Sequence, residues 1–156
     1  MLIAVEVASF ALESDKHLPL VVLRECSGER SFTIPVSVTE ANAIAMHSLN
    51  VSSEKPLAVD LVKNVIGGLG GVLEKAVIVV EGESFSARLF IVAKSRTVTM
   101  CCGAGDALAI AMRCGCGIFV DEAVFGDSVP HDGLAQQALR ANIAQSDTLE
   151  FGRYFF

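Results

Sequence analysis

Two alanine-rich segments, "TEANAIAMH" at 39–47 and "GDALAIAMR" at 105–113, align at one fixed offset of 66 residues. The identities are Ala41/Ala107, Ala43/Ala109, Ile44/Ile110, Ala45/Ala111 and Met46/Met112, and Glu40 falls on Asp106. Each segment follows three stretches patterned as strands. A chain built this way is expected to form two similar β-β-β-α units, each followed by a further helix. The match is confined to this one segment of each half.

The strand readings come from alternation and turn residues. They cover 2–12, 18–26 and 31–36 in the first half and 71–80, 85–93 and 97–102 in the second. "SGER", "EGES" and "KSR" are short connections, which imply antiparallel pairing. Thr39 suits the N-cap of the first alanine-rich helix, with Glu40 in its first turn. Pro56 opens a second helix, in which Leu57, Leu61, Val65 and Leu69 lie on or near one face. Asp106 begins a third helix that runs to about Arg113, and 117–120 reads as a short buried strand. An acidic loop at 121–132, a last helix in "DGLAQQALRANIAQ" and a loose aromatic "FGRYFF" complete the chain. The expected class is α+β, antiparallel strands packed with helices, with an internal β-β-β-α duplication. Residues 1–126 form the expected domain. Residues 127–156 are its C-terminal helix and tail, packing on the domain or on a partner subunit.

With 52% hydrophobic and 19% charged residues, the chain has the composition of a compact fold rather than a disordered one. No apolar run reaches the length of a membrane span, and the N-terminus lacks a basic region ahead of its apolar stretch. Five cysteines, an odd number, with no secretory signal point to free thiols in a reducing, cytoplasmic setting. The net charge of −6 is concentrated beyond residue 120; it disfavours tight binding to a phosphate backbone without excluding nucleic acid.

The cysteines make a poor metal site on paper. Cys101 and Cys102 are neighbours on a strand and point to opposite faces. Cys114 and Cys116 are separated by one residue, whereas zinc knuckles want two to four. They read as small core hydrophobes, with a thiol metal or redox role as the competing account. "GGLGG" at 67–71 follows a helix and lacks the phosphate-loop pattern, so no organic cofactor is indicated.

The acids are more suggestive. Asp106 follows "GAG" and either caps its own helix or is a site carboxylate held at a helix start. Glu40 has the same two readings. Asp60 lies inside a helix among apolar neighbours, as a solvated face or as a site acid. Arg88 interrupts the apolar strand "FSARLFIVA" and either faces solvent or pairs with a carboxylate. Taken together, Glu40, Asp60 and Asp106 are oxygen donors of the kind that hold Mg²⁺ or Mn²⁺ in nucleases. Spacing alone leaves open whether they converge.

The order of these pieces resembles the bifunctional nuclease (DNase/RNase) domain family. The resemblance runs from about Leu18 to Gly126 and rests on "PLVVLRE", "IPVSVTEANAIAMHSL", "KPLAVDLVKNVIGGLGGVLEKAVIV", "FSARLFI" and "GDALAIAMRCGCGIFVDEAVF". Family members show an "EA-x-AIA" helix, an "RPLTHDLL" segment, an "ARL" strand and a "D-x-RPSDAIALA" segment, in this order. The resemblance implies an α+β fold, homo-oligomers (dimers or larger) and cleavage of DNA and RNA aided by a divalent metal. It places Glu40, Asp60 and Asp106 as catalytic or metal-holding acids and Arg88 as the residue that neutralises phosphate. The chain departs from the pattern at Ala58 and Val59, where the family has Thr-His. It departs again at Cys101 to Gly105, where the family has Asp-x-Arg-Pro-Ser. These losses imply reduced activity, and the glycines are expected to loosen the segment that positions Asp106. Two readings follow: a metal-assisted nuclease of low activity, or a non-catalytic oligomeric or regulatory module on the same scaffold.

Overall fold

A computed structural model describes residues 1–13, 17–28, 30–82 and 84–125. The C-terminal helix and aromatic tail expected at 127–156 lie outside the described residues. The described residues form seven strands and three helices: β1 (Leu2–Leu12), β2 (Pro19–Glu25), β3 (Ser31–Pro35), α1 (Val38–Ser48), α2 (Ala58–Gly68), β4 (Gly71–Glu81), β5 (Ser84–Ala93), β6 (Arg96–Gly103), α3 (Ala104–Cys114) and β7 (Gly117–Asp121). A 3₁₀ turn at Glu122–Phe125 follows β7. The fold is α+β, and the order strand-strand-strand-helix occurs twice along the chain.

The strands make one sheet in the order β3-β2-β1-β7-β4-β5-β6. The two three-strand meanders are antiparallel, as their short turns require. β7 enters between them, antiparallel to β1 and parallel to β4. The register sets one apolar face across the whole sheet. Val5, Ile118, Ala76 and Leu89 form one cross-strand row, and Ile3, Val120, Ile78 and Ala87 form the next. All eight are buried. Their neighbours along the strands point the other way, and Arg88 is exposed on that opposite face. The sheet curls enough for Phe32 of β3 to stack on Phe85 of β5, with ring centroids 6.2 Å apart.

α1 and α3 cover the apolar face. Their alanines, including Ala41, Ala45, Ala107 and Ala111, are buried and let the two backbones lie close together. Ser37, rather than Thr39, caps α1: its hydroxyl accepts from the Glu40 N–H at 3.2 Å, and the Glu40 carboxylate accepts from the Ser37 N–H at 2.6 Å. α3 begins at Ala104 with Gly103 as its N-cap, so Asp106 does not cap its own helix. α2 also departs from its expected packing. Val59 and Ile66 rest on the core, while Leu61, Val65 and Leu69 face solvent.

α3 ends at Gly115, whose φ of 67° lies in the left-handed region and whose N–H returns to Ala111 and Met112 carbonyls. That conformation favours glycine, so Gly115→Ala is expected to cost about 1 kcal/mol, read as a lower urea midpoint with an unchanged slope.

Candidate functional site

The four residues singled out in the sequence fall in three places. Glu40 and Asp106 come together, Asp60 pairs with Arg113, and Arg88 stands apart on the open face of the sheet.

Glu40 is the third residue of α1 and Asp106 the third residue of α3. Both first turns lie at the positive ends of their helices, which favour carboxylates. Glu40 Oε1 and Asp106 Oδ2 lie 3.7 and 4.0 Å from the point a Cβ would occupy on Gly103. A Cβ on Gly105 would fall 2.5 Å from Glu40 Cδ. Gly105 therefore leaves the space in which the Glu40 carboxylate rests against α3. Gly103 is the N-cap of a regular helix, and Gly105 is buried in its first turn. Partial burial, then the charge of Glu40, push the Asp106 carboxyl above its ordinary range. No basic side chain contributes to that shift. Among the described residues, the pair is thus a concentration of negative charge without a cation beside it.

At the other end of the same two helices lies a different arrangement. Asp60 Oδ2 accepts from the Leu57 N–H at 2.8 Å, which closes the start of α2. Its Oδ1 accepts from Arg113 Nε at 2.6 Å, and Arg113 Nη1 donates to the Ala43 carbonyl at 2.8 Å. Burial opposes ionisation of Asp60, but the Leu57 N–H and the Arg113 guanidinium outweigh it and hold the carboxyl below its ordinary range. The pair borders a cleft of about 530 Å³ that His47, Asn50, Lys63 and Asn64 also line. Burial first, then Arg113 and Lys63, lower the pKa of His47, with Asp60 opposing, so its imidazole is neutral at pH 7.

Sequence reasoning missed His47, Arg113 and this cleft. The signal was present in the overlay of the two alanine-rich segments, where His47 falls on Arg113 just as Glu40 falls on Asp106. The matched acids meet at one end of the helix pair, and the matched bases line the cleft at the other.

The cysteines are free, and Cys102, Cys114 and Cys116 pack against the core. Burial raises all three, Cys116 to about 11, which keeps them protonated. Among the described residues, no group of three or more His, Cys, Asp or Glu is placed to hold a metal ion. Among the same residues, no helix is long and apolar enough to cross a membrane.

The family model of the bifunctional nuclease domain matches residues 21–130. The chain belongs to the bifunctional nuclease domain family. It is also 32% identical over 126 residues to uncharacterized proteins of Mycobacterium tuberculosis strains CDC 1551 / Oshkosh and ATCC 25618 / H37Rv. Those alignments cover 80% of this chain and 74% of each relative. The matched family region includes both carboxylates of the acid pair and the Asp60–Arg113 link.

Two stability measurements separate the two clusters. Arg113 is 8% exposed and Asp60 35%, so Asp60→Asn leaves a buried guanidinium without its counter-charge and should cost about 1–3 kcal/mol in urea unfolding at pH 7. A lowered carboxyl stabilises the fold above its ordinary value of 3.8 and loses that contribution as pH falls through the lowered one. Wild type and variant should therefore converge in strong acid. Asp106 has the opposite sign: its raised carboxyl leaves the fold unpenalised below 3.8, and the cost of charging it sets in as pH rises through the raised value. For a single copy, without a neighbour's charge at the pair, Asp106→Asn should melt about 1–3 °C higher than wild type at pH 7 and equal to it below pH 3.8.

Proposed function

We propose that the protein hydrolyses phosphodiester bonds of nucleic acid, with Glu40 and Asp106 as its central carboxylates. Membership of the bifunctional nuclease domain family supports the reaction class. The observation that carries the assignment to residues is the approach of Glu40 Oε1 and Asp106 Oδ2 to one point, at the first turns of two helices. Two carboxylates suit a hard cation such as Mg²⁺ or Mn²⁺, which is commonly bound through one or two acids, with water and substrate phosphate completing its shell. Burial first, and then repulsion from Glu40, raise Asp106, and such a cation would relieve the repulsion. When bound, the cation would polarise a phosphoryl oxygen and offset substrate charge.

Hydrolysis delivers hydroxide to phosphorus and a proton to the leaving oxygen. Asp106, with its affinity for a proton raised, is suited to take the proton from water, and Glu40 keeps the site negative. Arg88 is exposed and makes no ion pair among the described residues. It pairs across the ladder with Cys101, two residues from the Ser86–Gly103 pair at the strand ends. In this reading it meets a neighbouring phosphate of the polymer. Asp60 is left to hold the helices, because both of its oxygens already accept from protein donors. That engagement favours the second reading, a non-catalytic oligomeric or regulatory module.

A cleavage assay on single- and double-stranded DNA and on RNA, with and without Mg²⁺ or Mn²⁺, decides between them. Glu40→Gln and Asp106→Asn should each lower the metal-dependent rate by at least about 10²-fold, and Arg88→Ala should raise KM more than it lowers kcat. Cleavage that survives both acid substitutions, or is absent with every metal and polymer, leaves the non-catalytic module.

A further inference from the structure

We infer that the open edge of β6 pairs with β6 of a second copy of this chain, and that the pairing brings Arg96 of each copy to the Glu40–Asp106 carboxylates of the other. β6 ends the strand order, and nothing among the described residues bonds to its outer edge. Its eight residues run in continuous register with β5, from Arg96 opposite Ala93 to Gly103 opposite Ser86, with no bulge. The strand has no proline and a single charge, Arg96. Sheet edges are normally blunted by short length, bulges, proline or several charges. The opposite edge shows such protection: β3 has five residues, ends at Pro35 and has the 3₁₀ turn packed beside it through Phe125 on Phe32.

The helix-covered face of β6 is apolar and wet. Val98 and Met100 are 47% and 53% exposed, although their ladder partners Ile91 and Leu89 are 8% and 4% exposed. α2 adjoins the Arg96 end of the strand, because Ile66 packs over Gly71 and Ala93, and Ala93 pairs with Arg96. The exposed stripe of Leu61, Val65 and Leu69 on α2 extends this apolar surface. An eight-residue edge alone falls short of the roughly 800 Å² per copy that a stable dimer buries, so the contact takes in the exposed stripe of α2 as well.

A second copy fits because a two-fold axis pairs a strand with itself in antiparallel sense. Residues opposite each other must face the same side of the sheet, so two registers serve near the strand's centre. With Thr99 on the axis, Arg96 lies opposite Cys102 of the second copy; with Met100 on the axis, it lies opposite Ala104. Either register delivers a guanidinium beside Gly103, the point approached by Glu40 Oε1 and Asp106 Oδ2. Within one copy Arg96 makes no ion pair among the described residues, and no cation offsets the acid pair. Among the described residues, these charges complement one another between copies and not within one. The catalytic consequence, a site completed by the neighbour's Arg96, rests on the nuclease reading; the strand pairing does not.

Light scattering on the eluting full chain is expected to give twice the chain mass of 16.5 kDa at micromolar concentration. Met100→Lys and Val98→Lys, both at exposed positions, should keep the wild-type circular dichroism. Each should raise the dimer dissociation constant by about 100-fold or more by setting like charges near the axis. A monomeric wild type, including one whose edge is covered by its own residues 126–156, overturns the inference. So does a dimer indifferent to both lysines. For Arg96, the variants Arg96→Ala and Asp106→Asn are co-expressed. Each alone should be nearly inactive, while mixed dimers hold one whole site and restore about a quarter of wild-type cleavage. Mixed dimers that stay inactive beside an active wild type remove Arg96 from the site. A dimer that cleaves nothing defeats the nuclease reading and leaves the β6 pairing standing.

Discussion

The guanidinium of Arg113 holds the helical layer together. It reaches from the last turn of α3 to the Asp60 carboxylate at the start of α2 and to a backbone carbonyl in the middle of α1. Three helices, two of them rich in alanine, are thereby joined at one point. α2 depends on it most, since none of its side chains is fully buried. Burying a charge is unfavourable unless its partners are supplied in good geometry, and here one carboxylate and one carbonyl supply them.

Once Arg113, in the last turn of α3, is tied to Ala43 in the middle of α1, the N-terminal ends of the two helices are also brought together. Glu40 and Asp106 are then neighbours by construction, and the small residues around them decide how closely they approach. A serine or alanine at 105 would occupy the space the Glu40 carboxylate now fills. The departure at this position changes where the acid lies; it does not simply subtract a polar group.

Most of the fold was legible in the sequence because each half announces its strands by alternation and its turns by glycine and charge. The α+β class, both meanders and all three helices follow from those signals. The misreadings have local causes. Thr39 competes with Ser37 as a cap, and only the reciprocal bond from Glu40 selects Ser37. The leucine and valine stripe of α2 carries the periodicity of a buried face, but periodicity does not say what covers that face. The parallel step of β7 beside β4 is long-range and leaves no mark on five residues. As for the site, the sequence singled out three acids without showing which partner each one meets. Asp60 looked unexplained because Arg113 is 53 residues away, and a contact at that separation is visible only in three dimensions.

The last strand of the described chain occupies the middle of the sheet. Until β7 emerges from synthesis, the two meanders have no shared hydrogen bonds, and β1 and β4 each present a bare inner edge. The sheet therefore closes late, after most of the described residues have already been made. Any truncation upstream of Gly117 leaves two apolar ribbons with sticky edges instead of half a protein.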